Sequence, residues 1–431
     1  MPTLNFSITS VGDWCKAWRK SIKGDKLVVN AIYIFGNAIV TSFAGFLFWT
    51  FASRIYSISH VGIASSIVSI VQLLRFIGFL GLGIGMIRFL AEDESPRELF
   101  TSIILLSTSA VFILGGCYLL LMPVISRELS VEVAGFYQHV GFMGFLILVT
   151  VFTGLGSLFV AAREAKYSFL QSIVMNIIRI VTVYFLIDLE VWGIIGSLSI
   201  GYLIAVILSG IFYIPRVLPA YKIRVRINWG KIRNIFSFSI GNYLSSVFRQ
   251  MPASLFSPMA LEILGKSSSA YVYVIFMVVS FVSGPGLALG NSALVESTHS
   301  PEDYKKIITR ASYIALAVTT ALAGIMYLIA NPVLGLFGEG YLENAGGLYK
   351  MMLIASPFVA ANMIIINFLR TKKYIKELVV SSMILAILAV GIPFSLMETM
   401  GIIAIGYGWV SAQIFVIIYI LFTIRFKDED N

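Results

Sequence analysis

The chain has 431 residues, of which 58% are hydrophobic and only 12% charged, and its mean hydropathy is +0.91. Soluble domains carry about 25% charged residues, so there is too little charge here to cover a water-facing surface, which excludes a soluble enzyme or binding module. The net charge of +9 does not call for a nucleic-acid partner, because its distribution follows the rule that orients membrane proteins.

Residues 1–26 form a basic tail. Lys16, Arg19, Lys20 and Lys23 interrupt any apolar run, so this is no secretory signal. Trp14 and Trp18 share a helical face beside those cations, a pattern that suits an interfacial helix and a solvated basic tail equally. From residue 27 the chain becomes a succession of apolar runs, each able to cross a hydrocarbon layer about 30 Å thick. Twelve helices are expected, at about 28–52, 61–87, 99–122, 134–161, 168–187, 192–214, 234–258, 269–295, 309–330, 349–369, 377–397 and 401–424. A transmembrane β-barrel would instead alternate apolar and polar residues over about 10 positions. The fold class is therefore an all-α polytopic membrane protein.

The cations between the runs alternate in density. The tails and the connections after helices 2, 4, 6, 8 and 10 hold 24 of the 31 Lys and Arg residues, while the other connections hold only Arg54, Arg127, Lys266 and Lys350. By the positive-inside rule both termini are expected in the cytoplasm, with the chain in the cell membrane. The expected organisation is a basic cytoplasmic tail (1–26), a six-helix lobe (27–215), a basic cytoplasmic linker (216–233), a second six-helix lobe (234–424) and a short cytoplasmic tail (425–431). The two cysteines, Cys15 and Cys117, and the three histidines, His60, His139 and His299, are too scattered for a disulfide or a metal site.

The halves resemble each other. Gly36-Asn37 recurs as Gly241-Asn242, Ser95-Pro96 as Ser300-Pro301, and Tyr118-Leu119 with Pro123-Val124 as Tyr327-Leu328 with Pro332-Val333. Arg163 and Lys166-Tyr167 recur as Arg370 and Lys373-Tyr374, and Gly193-Ile194-Ile195 as Gly401-Ile402-Ile403. A duplicated unit of six helices enters the membrane twice in the same direction, which gives a parallel repeat about an axis along the membrane normal.

Three arginines stand alone near the middle of apolar runs: Arg75, Arg179 and Arg249. A guanidinium at that depth costs at least about 2.5–3.5 kcal/mol, so each should face a wet cavity or a partner. Each heads a polar stripe at helical spacing: Ser65, Ser69 and Gln72 with Arg75; Ser172 and Asn176 with Arg179; Asn242 and Ser246 with Arg249. Their counterparts in the other half are uncharged, so they belong to one lobe each and not to the shared scaffold. Arg54 and Arg88, at the ends of helices 1 and 2, read as a gate or as snorkelling anchors. Pro252, Pro258 and Pro285 are expected to kink helices 7 and 8.

Several short motifs carry a resemblance to a known family. The first half has Val61-Gly62 opening helix 2, then Leu80-Gly81-Leu82-Gly83 and Arg88-Phe89-Leu90-Ala91 at its end. The second has Leu336-Phe337-Gly338-Glu339-Gly340-Tyr341 between helices 9 and 10, and Gly401-Ile402-Ile403-Ala404-Ile405-Gly406 opening helix 12. In these the chain resembles the polysaccharide transporter branch, of the O-antigen-flippase type, of the multidrug/oligosaccharidyl-lipid/polysaccharide exporter superfamily. The resemblance spans about residues 27–424. It implies two lobes around a central cavity, and a polyprenyl- or dolichyl-diphosphate-linked oligosaccharide as cargo for cell-surface polysaccharide synthesis. Membrane lipids and other polysaccharide-assembly proteins would be its partners.

The cations fit such a cargo. A guanidinium stays charged in a partly dry site and matches phosphate oxygens with a planar fork of donors. Arg75, Arg249 and Arg179 are thus candidate substrate-binding cations, with Gln72, Asn176, Asn242 and Ser246 as polar cavity residues. No cofactor or catalytic group is expected, and no Gly-Lys-Ser/Thr nucleotide loop is present. Two other functions compete. A cation-coupled multidrug exporter would need carboxylates within the spans, whereas Asp188, Glu262, Glu296 and Glu398 sit at helix ends. A membrane glycosyltransferase or polymerase acting on lipid-linked sugars would need larger outer loops.

Overall fold

Twelve long helices dominate the computed structural model, which describes residues 26–90, 93–219, 227–299 and 304–429. They are α1 (Lys26–Ile55), α2 (Ile58–Gly78), α3 (Pro96–Ile125), α4 (Phe136–Ala161), α5 (Ala165–Phe185), α6 (Glu190–Leu208), α7 (Trp229–Leu264), α8 (Lys266–His299), α9 (Tyr304–Leu328), α10 (Glu339–Thr371), α11 (Ile375–Met400) and α12 (Ile403–Glu429). Among the described residues, eleven of these are long and apolar enough to cross a membrane. The twelfth is α7, which carries Lys231, Arg233, Asn242, Arg249, Gln250 and Glu262 among six serines. Polar side chains are tolerated there because α2, α8 and α11 surround it. The tail with Trp14 and Trp18, and residues 220–226 of the linker, lie outside the described residues.

Both halves pack alike. The first helix of each half lies on the fifth, the fifth on the sixth, the fourth on the third and sixth, and the second on the fourth. The repeat shows in the backbone too, but in a different register from the sequence match. Arg163 and Lys373 both take left-handed φ values, 56° and 59°. The next N–H in each case reaches back to close the same turn, Glu164 to the Phe159 carbonyl and Tyr374 to the Leu369 carbonyl. Arg163 therefore corresponds to Lys373, and Arg370 corresponds to Val160. Likewise the left-handed residue between the fifth and sixth helices is Glu190 in one half and Gly401 in the other, so Gly193 is not the partner of Gly401. A displacement of three residues is almost one helical turn, which preserves the apolar face and so goes unnoticed in a sequence match.

The second span is broken where a continuous helix is expected. Leu80 and Gly81 both take left-handed φ, 53° and 69°, and a short helix, Leu82–Phe89, continues beyond them. The break receives Tyr243 of α7. A Cβ on Gly81 would lie 2.9 Å from Tyr243 Cβ, and the Tyr243 hydroxyl donates to the Ile77 carbonyl at 2.5 Å. None of the three prolines ends its helix: α7 runs through Pro252 and Pro258, and α8 through Pro285. The tenth helix begins at Glu339, well before the expected residue 349, because Gly338 (φ 128°) makes the turn and Glu339 complements the positive helix start.

The lobes meet most closely at the end of the molecule remote from the termini. There Gly62 and Ser65-Ser66 of α2 face Ser257 of α7 and Ser269 of α8. Ser66 and Ser257 each pair with Ser269, at 2.7 and 2.8 Å, Ser257 lies 3.3 Å from both Ser65 and Ser66, and Ser269 donates to the Gly62 carbonyl at 2.9 Å. Small residues let the backbones approach this closely, and the hydroxyls satisfy one another away from water. Around them Trp49 packs on Tyr273 (4.6 Å between centroids) and Phe46 on Phe281 and Phe337 (6.1 and 5.5 Å). Arg54 resolves as a cross-lobe clamp: Nε donates to the Leu336 carbonyl at 2.8 Å, and Nη2 to that of Gly335. Toward the termini, α7 remains against the first lobe through Tyr243, the Lys231–Asp93 ion pair and the Asn228 N–H on Ser102 Oγ (2.9 Å). By contrast, α1 projects Ile32, Phe35, Ile39 and Phe43 outward, each about half exposed or more.

A candidate cation-lined site

Arg75 sits near the end of α2 just before the break. Its Nε donates to Gln72 Oε1 at 3.0 Å and its Nη1 to Thr153 Oγ1 of α4 at 3.3 Å. Gln72 is thus its orienting partner one turn back, as i, i+3 spacing allows. Neither partner is charged, so the guanidinium keeps its full positive charge available.

Arg179 is the most enclosed of the three, at 7% exposure. Its guanidinium carbon lies 5.2 Å from the Phe48 ring centroid of α1, and Gly45 leaves room for Nη2 beside it. Cation–π contact offsets part of the desolvation, yet Nε and Nη2 are buried with no hydrogen-bond partner among the described residues. Tyr202 of α6 lies near enough to interact electrostatically with both Arg75 and Arg179, and Tyr273 of α8 does so with Arg179. Asn176, on the same stripe, is buried too: Nδ2 donates to the Ser172 carbonyl at 2.7 Å, while Oδ1 has no partner among the described residues. The α5 stripe is therefore buried among neighbouring helices, with Ser172, Asn176 and Arg179 all enclosed.

Arg249 lines a cavity of about 260 Å³ between α7, α10, α11 and α12. Ser246 joins it there, its hydroxyl tied to the Asn242 carbonyl at 2.8 Å; Asn242 itself is not on the cavity wall. The Arg249 Nη2 reaches only the Met363 sulfur at 2.7 Å, a weak acceptor, and Nη1 is buried without a partner among the described residues. Arg75 and Arg179 do not line this cavity, although Phe76, next to Arg75, does. Arg88 is exposed on the Leu82–Phe89 helix, 5.7 Å from the Phe89 ring centroid.

The same cavity holds a cation that sequence reasoning missed, Arg370. It reads as one of four basic residues in the connection after helix 10, a topology signal. In the structure it is the penultimate residue of α10 and folds back into the cavity, with Asn367 Oδ1 3.5 Å from its Nη1. The available signal was the stripe Met363, Asn367, Arg370 at i, i+4, i+7, which puts all three on one helix face.

No protein-family model matches the chain, and no curated protein matches it in sequence. Solved structures do. A lipid II flippase, MurJ, in an inward closed conformation matches with a TM-score of 0.72 over 92% of this chain and 87% of that one, at 16% identity. An inward-facing multidrug resistance MATE family transporter of the MOP superfamily matches with a TM-score of 0.71 over 93% of this chain and 99% of that one, at 12% identity. A eukaryotic MATE transporter, AtDTX14, matches with a TM-score of 0.62 over 91% and 96%, at 14% identity. The chain shares the fold of these transporters. Twelve helices in two six-helix lobes are therefore its architecture, as the sequence repeat suggests.

Proposed function

We propose that the chain is an exporter that carries a polyprenyl- or dolichyl-diphosphate-linked oligosaccharide across the cell membrane for surface polysaccharide synthesis, with both termini cytoplasmic. One observation carries the reading. The span interiors hold Arg75, Arg179 and Arg249, and Arg370 reaches the cavity from the last turn of α10, while the described carboxylates keep to helix ends and connections. An interior of uncompensated positive charge is matched by an anionic cargo. A cation-coupled exporter of cationic drugs would meet repulsion there.

Alternating access supplies the mechanism. The far ends of the lobes are held by weak polar contacts, each worth roughly 0.6 kcal/mol in a membrane, so a handful can break and reform in each cycle. The head group would bind among the cations while its lipid tail stays in the bilayer, passing the exposed half of α1. Differential affinity of the two lobe arrangements for the cargo then shifts their populations.

The test is translocation of a fluorescent lipid-diphosphate oligosaccharide in proteoliposomes. Arg75→Ala and Arg249→Ala should each slow it about tenfold or more, the worth of one charge-assisted hydrogen bond. Lysine at either position should restore part of the rate by keeping charge without the fork. Normal rates in both alanine variants would defeat the reading.

A further inference from the structure

We infer that the cavity in the second lobe is a binding site for a phosphate-class oxyanion, built by Arg249 and Arg370 together. Two guanidinium groups line one cavity, and no carboxylate is among its lining residues. Like charges brought together in a low-dielectric setting are unfavourable unless an anion lies between them. Both have donors to spare: Arg249 Nη1 and Arg370 Nε are buried without a hydrogen-bond partner among the described residues. Around them Ser246, Gln250, Ser381 and Ser382 present hydroxyl and amide groups to the same space.

Size decides what kind of ligand this is. A cavity of about 260 Å³ falls below the roughly 300–1,000 Å³ of pockets for drug-sized ligands, and is far above the ~10–15 Å³ that admits one water. It therefore has room for a compact anion with a few waters. Planar guanidinium forks match the oxygens of a phosphate or diphosphate better than they match a spherical ion. The repeat register adds that Arg370 corresponds to Val160, so this pair has no equivalent in the first lobe. The oxyanion is either the diphosphate of the cargo or a free inorganic phosphate; only the first of these rests on the exporter reading.

Trp409 lines the cavity and makes binding visible. Titrating the purified full chain in detergent with inorganic pyrophosphate should change its tryptophan fluorescence saturably, and less so at high salt. Trp409→Phe should remove that signal while calorimetry still reports binding. Arg370→Gln and Arg249→Gln, checked for folding by thermal unfolding, should each bind about tenfold or more weakly. No saturable binding to the wild-type chain, or unchanged binding in the doubly substituted chain, would overturn the site. The source follows from transport. If Arg370→Gln loses pyrophosphate binding and translocation together, the site takes the cargo's diphosphate. If translocation stays normal, it takes a free anion, and the exporter reading is untouched.

Discussion

Replacing Gly62 by valine is expected to abolish transport while leaving both lobes folded. A Cβ at Gly62 would lie 1.8 Å from the Lys266 carbonyl oxygen, 2.8 Å from its carbon and 3.2 Å from the Ala270 nitrogen. These are backbone atoms at the start of α8, so no side-chain rotation relieves the clash. Non-bonded heavy atoms settle at about 3.5–4.0 Å, so α2 and α8 would have to part by more than ~1 Å. That separation breaks the Ser269 hydrogen bond to the Gly62 carbonyl and disperses the serine cluster. The lobes would stay open at the end remote from the termini. In a Cys15→Ser, Cys117→Ser background, Ser257→Cys should become reactive toward a membrane-impermeant maleimide once Gly62→Val is added. Normal transport with Ser257→Cys still protected would show that the contact does not gate.

Arg179→Leu should separate stability from function. The wild-type Arg179 is 7% exposed and leaves two guanidinium nitrogens unpartnered among the described residues. Replacing such a buried charge with an apolar side chain is often neutral, or stabilising by about 1–4 kcal/mol. Thermal unfolding of the Leu variant in detergent is therefore expected at the same temperature or higher, while translocation of the lipid-linked oligosaccharide falls. A purely structural role through the Phe48 ring contact (5.2 Å) gives the opposite pattern, a destabilised chain whose residual folded fraction transports normally.

The fold was legible in the sequence because each span must satisfy its own backbone in lipid, which forces long apolar helices. Charge placement then sets their order. Details that depend on one helix meeting another were not legible. The break at Leu80-Gly81 makes sense only once Tyr243 is seen filling it, and the early start of α10 was hidden because Glu339, Glu343 and Asn344 interrupt the apolar pattern. The lone arginines stood out by their isolation. Arg370 did not, because a cation at a helix end has the same appearance whether it snorkels outward or folds inward. For the same reason Arg54 read first as a snorkelling anchor, with a gate as the alternative, until its carbonyl partners on the other lobe were in view. Asn176 read as a cavity residue by its spacing from Arg179, and spacing alone does not say whether a polar stripe meets water or a neighbouring helix.

The most direct test of the central claim compares two cargoes on the wild-type chain in proteoliposomes: a fluorescent polyprenyl-diphosphate oligosaccharide and a cationic dye. An interior lined by arginines should move the first between leaflets and leave the second where it was added, with or without an ion gradient. Gradient-driven export of the dye, with the lipid-linked sugar left in its original leaflet, would contradict the account.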